Sequence, residues 1–186
     1  MGFYGAFRIA LEYPQFYGSV SAMSAPLSLD GWVQQYLIPA AFKETLNFAL
    51  DSVPNPFQKN KPNRSLLFAM ASGFSPHATP DTNFTTYFKI QSPPVYNYGV
   101  DLPFYSSGAL RPEIWDDKWL KSNDIKTLLA TTKQGVLNNT KLFFDCGDQN
   151  SFQLLIANRN FDAFLKTQNL PLPHTFDQYS GYDPKF

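Results

Sequence analysis

The spacing of apolar residues changes period several times along this chain. Phe3, Phe7, Ala10 and Leu11 recur three or four positions apart, which predicts a helix from Phe3 to Tyr13, ended by Pro14. Gly2 and Gly5 weaken such a helix and so suggest close approach of another backbone. Tyr17 to Ser24 reads as a short buried strand ending in small residues, and Leu29 to Asp51 as helical with an interruption at Pro39. A charged helical stretch runs from Pro112 to Gln134, with Trp115 and Trp119 one turn apart as a packing pair. Lys141 to Gly147 is a nearly continuous apolar run, as in a buried parallel strand. Ser151 to Thr167 comes next as an amphipathic helix, and Pro173 to Tyr179 alternates as a strand. Helix, strand, insertion, strand, helix, strand is an α/β order.

The insertion is the segment without a long period. From Ser52 to Pro112 prolines punctuate aromatic patches that include Phe68, Phe74, Phe84, Tyr96 and Phe104. So many rings need a packing surface, which argues for an ordered cap rather than a linker. The expected organisation is a single domain over 1–186 with a cap or insertion at roughly 30–120.

Composition narrows the function classes. Fifteen Lys+Arg balance 15 Asp+Glu, leaving zero net charge, so the basic excess that nucleic acids and anionic membranes demand is missing. Hydrophobic residues at 44% and aromatics at 17% supply enough apolar surface to order a chain of 186 residues. One cysteine, Cys146, cannot form an internal disulfide or a multi-cysteine metal site. No apolar run is long enough for a membrane helix, and compartment is left open.

Several stretches, taken in order, resemble the esterase-D-like α/β hydrolases. Met1-Gly2-Phe3-Tyr4-Gly5-Ala6 is similar to the residues just after the family's nucleophile in its Gly-x-Ser-Met-Gly-Gly-Tyr-Gly-Ala elbow, and Ser21-Ala22-Met23-Ser24 to the end of the next strand. Phe68 to Pro76, Asp101-Leu102-Pro103-Phe104, Phe144-Asp145-Cys146-Gly147, Asn158-Arg159 and Pro173-His174 continue the likeness over essentially the whole chain. The resemblance implies a partial α/β-hydrolase fold of about three mostly parallel strands with flanking helices. It also implies a carboxylic ester hydrolase ancestry, with no cofactor and no metal, and a small ester or acylated sugar as the ligand class.

Carried over residue by residue, each triad position departs from the family. Met1 falls on the residue after the serine and Gly2 on the glycine that closes the elbow, so these two are an oxyanion and elbow remnant. The serine itself is expected outside these residues. The acid position is Asn150, which cannot stabilise an imidazolium by charge. Asp148 is the nearest substitute carboxylate. The histidine position is Tyr182, a poor general base near neutral pH.

No other residue supplies a base by spacing. His174 reads as structural and His77 as a loop residue; Cys146 reads as a packing thiol; Ser24, Ser75 and Ser180 have no identifiable partner, and the carboxylates Asp145, Asp148, Asp177 and Asp183 form no paired pattern. Three functions stay open: a family member silent by itself, a hydrolase completed by an N-terminal partner fragment, and a binding or interaction module using the aromatic insertion. The strand at Tyr17 to Met23 is expected at a sheet edge, available to a second copy or to such a fragment.

Overall fold

The computed structural model describes residues 2–45, 58–76, 100–105, 107–167 and 172–181. Its principal elements are α1 (Gly2–Glu12), β1 (Ser19–Met23), α2 (Ile38–Thr45), α3 (Pro62–Phe74), α4 (Ile125–Ala130), β2 (Lys141–Gly147), α5 (Leu154–Thr167) and β3 (His174–Tyr179). They divide into two compact units, Met1–Val33 with Asn123–Phe186, and Gln34–Ser122.

In the first unit the strands form a parallel sheet in the order β1-β2-β3. Ser19 lies beside Lys141 and Met23 beside Asp145; Leu142 lies beside His174 and Gly147 beside Tyr179. Val20, Ala22, Leu142, Phe144 and Cys146 alternate onto the buried face. There Phe7 of α1 meets Phe144 edge-on at 6.5 Å and Phe161 of α5 at 5.8 Å, while Phe144 and Phe161 are 5.3 Å apart. Both helices therefore cover the same face. On the opposite face Ser19, Ser21, Lys141, Phe143, Thr175 and Asp177 are exposed. This departs from the continuous burial usual for parallel sheets.

Two polar anchors fix the remaining elements of this unit. Asp124 caps α4, accepting from Thr127 N at 3.0 Å and Thr127 Oγ1 at 2.6 Å, and also takes the Leu29 N–H at 2.7 Å. Burial pushes its carboxyl pKa up against the pull of these hydrogen bonds. Tyr4 of α1 donates its hydroxyl to Asn123 O at 2.6 Å, and burial pushes its phenol up to about 12.

The second unit holds α2 and α3. Glu44 binds the start of α3, taking Asn63 Nδ2 at 2.7 Å and Arg64 N at 2.8 Å. Trp119 packs edge-on against Phe74 at 5.3 Å and donates its indole N–H to Ser75 Oγ, which in turn donates to Asp101 O. Trp115 and Trp119 are both buried, so their spacing serves packing.

Four sequence expectations are corrected or refined. The proline-rich stretch contains a 13-residue helix, α3, because Pro62 occupies its first turn, where no N–H is needed. The interruption expected at Pro39 takes the form of a change of helix type: a π-helix at Val33–Leu37 gives way to α2 at Ile38, so Pro39 sits in the first turn of α2, where its missing N–H is tolerated. The charged stretch after Pro112 passes through a π-helix at Trp115–Leu120 and is divided by the cap at Asp124. Close approach at Gly5 is also not found: nothing lies within 4 Å of where its Cβ would stand.

Two measurements test this core. Phe144→Ala should cost about 3–5 kcal/mol in urea unfolding, because α1, α5 and β3 all pack on that ring. Tyr4 ionises at about 10 when unfolded and at about 12 when folded. Its contribution is therefore whole below pH ~10 and is lost as pH rises from there toward ~12. Tyr4→Phe should flatten the alkaline fall in stability over that window relative to wild type.

Candidate functional site

Ligands of parallel α/β sheets bind where the carboxyl ends of the strands release their loops. In the first unit those ends are Ser24 after β1, Gly147 to Gln153 after β2, and Ser180-Gly181 after β3.

Ser24 has a left-handed backbone, φ 46°, a conformation that costs a non-glycine residue about 1 kcal/mol. Its N–H continues the ladder to Asp145 O at 2.8 Å, and its hydroxyl donates to Cys146 Sγ at 3.6 Å. Cys146 has no exposed surface, consistent with a packing thiol. A base is not at hand from His174. That residue pairs with Leu142, four positions and so ~13 Å down the strands from the Ser24 end. Its ring stacks on Phe144, and its nitrogens face Leu172 O at 3.0 Å and Asp162 Oδ1 at 3.3 Å, a structural setting.

The loops after β2 and β3 are joined by Asp148. Its Oδ1 accepts the Gly181 N–H at 2.8 Å and its Oδ2 the Ser180 hydroxyl at 3.1 Å. Backbone bonds from Asp148 N to Tyr179 O and from Gln149 N to Gly181 O, each 3.0 Å, complete the junction. Both carboxylate oxygens are thus engaged with the loop immediately before Tyr182.

Asn150 is 6% exposed and performs local work. Its Oδ1 accepts the N–H of Phe152 at 2.9 Å and of Leu154, the first residue of α5, at 3.2 Å. The turn it shapes is needed because Gln153 is left-handed, φ 54°, and Trp32 secures it by donating its indole N–H to Phe152 O at 2.7 Å.

Of the sequence-derived candidates, Asn150, Asp148, Ser180, Ser24 and Cys146 gather at these strand ends. Gly2 opens α1, whereas Ser75 belongs to the other unit and is held between Trp119 and Asp101. Met1, His77, Tyr182 and Asp183 lie outside the described residues. Sequence spacing gave no sign that Asp145 and Asp177 are register partners on one face, since only strand register reveals that. Open grooves of about 500 Å³ lie away from the carboxyl ends of the strands, one near their amino ends across Ser21, Phe143 and Thr175 and one between α4 and α5. Among the described residues no group of three or more His, Cys, Asp or Glu is placed to hold a metal, and no helix is long and apolar enough to cross a membrane.

The role of Asn150 is testable by denaturation. Asn150→Ala should lose about 1–2 kcal/mol by leaving two N–H groups without an acceptor, while Asn150→Asp should stay within about 0.5 kcal/mol of wild type. Equal stability of the two variants would remove this turn-shaping assignment.

Compared with known proteins, the chain matches no family model and no curated protein sequence.

Proposed function

We propose that this chain is a portion of an esterase-D-like α/β hydrolase that is catalytically silent by itself. The order of its parallel strands, with α1 before β1, a separate unit between β1 and β2, and α5 between β2 and β3, supports the family reading. The observation that carries the silent reading is Asn150. At the position of the acid stands a neutral amide whose oxygen is committed to the N–H groups of Phe152 and Leu154. It offers neither the charge nor the free acceptor that would hold an imidazolium. Asp148, the substitute acid, spends its oxygens on Ser180 and Gly181.

The physical consequence is a fold that keeps the loop junction of a hydrolase while using its polar groups for cohesion. Small esters and acylated sugars remain the ligand class for this reading, bound without turnover.

The test is p-nitrophenyl acetate hydrolysis together with fluorophosphonate labelling of the purified chain, against Ser24→Ala and Ser180→Ala controls. The expected result is a rate equal to the controls and no covalent label. Turnover that disappears in Ser24→Ala or Ser180→Ala overturns the silent reading, and turnover lost in Asp148→Asn assigns the acid to Asp148.

A further inference from the structure

We propose that Asn138 is an N-glycan acceptor, modified when this chain is translated into a compartment that holds an oligosaccharyltransferase and its lipid-pyrophosphate-linked oligosaccharide. The inference rests on one turn of the sheet unit and does not depend on the hydrolase reading.

Three tripeptides carry the Asn-x-Ser/Thr acceptor pattern: Asn63-Arg64-Ser65, Asn83-Phe84-Thr85 and Asn138-Asn139-Thr140. Asn83 lies outside the described residues, and the pattern alone does not separate the other two. Their surroundings do. An acceptor amide must be accessible, the hydroxyl two residues on must be available at the moment of transfer, and the bulky polar glycan must afterwards stand in solvent.

Asn138 meets these conditions. It belongs to the run of turns at 131–139 between α4 and β2, and both it and Asn139 are exposed. Gly135, left-handed at φ 75°, lets the chain turn back so that Asn138 N donates to Gly135 O at 3.2 Å. Thr140 is buried, and its hydroxyl donates to Tyr17 O at 3.1 Å, an acceptor 123 positions away. That bond requires β1 and β2 to be side by side, so the hydroxyl is available in the nascent chain. Folding then buries Thr140 and leaves the Asn138 side chain outside.

Asn63 is placed differently. It stands in the first turn of α3, where its Nδ2 donates to Glu44 Oε1 at 2.7 Å and its backbone N–H to the same oxygen at 3.3 Å. The Ser65 hydroxyl donates to Lys61 O at 2.9 Å, within the same helical turn. These are local contacts that form with the helix, and a glycan on Asn63 Nδ2 would crowd the Glu44 carboxylate.

In the transfer, Asn138 Nδ2 forms a bond to the anomeric carbon of the oligosaccharide as the bond from that carbon to the pyrophosphate oxygen breaks. The lipid pyrophosphate leaves with the electron pair, and one amide proton passes to the transferase.

Translation of the full chain, behind a cleavable secretion signal, into microsomes tests the proposal. Protease protection selects the imported molecules, and a mobility shift removed by endoglycosidase reads the glycan. Asn63→Gln with Asn83→Gln, which keeps the Asn138 acceptor alone, should shift in most molecules. Adding Thr140→Ala should abolish the shift, and adding Thr140→Ser should retain it. Asn83→Gln with Asn138→Gln, which keeps Asn63 alone, should shift in a small minority. No shift of the imported Asn138-only chain overturns the proposal, as does a shift that survives Thr140→Ala. Modification of the Asn63-only chain as complete as that of the Asn138-only chain overturns it too. The glycosylated chain should unfold in urea at the same midpoint as Asn138→Gln, and a lowered midpoint would place the amide inside the fold and overturn the exposed-turn assignment.

Discussion

Phe144 is the ring on which the sheet unit depends. It stands in the middle strand, receives Phe7 and Phe161 edge-on from α1 and α5, and stacks with Phe176 of β3 at 5.0 Å. Its register neighbours are Ala22 on one side and Phe176 on the other, so the small residue lies on the β1 side and the two rings stack on the β3 side. Edge-to-face contacts at these distances add specificity to the apolar burial and set the distance of both helices from the sheet. The loops that leave β1, β2 and β3 are placed by that packing, and the junction at Asp148 can form only because the two strand ends are held in register.

Polar residues at the strand ends hold the loops together. Asn150 shapes a turn, Asp148 joins two loops, and Ser24 leans on Cys146. A catalytic acid must keep an oxygen for its histidine, and a catalytic serine must keep its hydroxyl for a base. Asn150 and Asp148 spend their side-chain oxygens on backbone N–H groups and on the Ser180 hydroxyl.

The strands and the helices flanking them were legible because 141–147 is a short apolar run of strand length and the patterns at 151–167 and 173–179 have a clear period. Helix α3 was hidden by the prolines around it, although Pro62 at its start is where proline fits a helix best. The π-helical turns at 33–37 and 115–120 carry no period that a pattern of apolar residues would reveal. Within the site, the position of Asn150 was legible and its work was not, since the acceptors for Phe152 and Leu154 depend on the left-handed Gln153. The pairing of Asp145 with Asp177 required knowledge of strand register, which no local spacing contains.

The separate unit between β1 and β2 also governs the order in which the sheet can assemble. Leu142 finds His174 only 32 positions along the chain, whereas Ser19 must find Lys141 across 122. Closing the longer loop costs about 1 kcal/mol more chain entropy, and contacts so distant in sequence slow the search. The β2-α5-β3 crossover is therefore the natural nucleus, and β1, carrying α1 with it, docks last. Prior folding of the inserted unit shortens the effective loop, which makes that unit a kinetic aid to the sheet it interrupts.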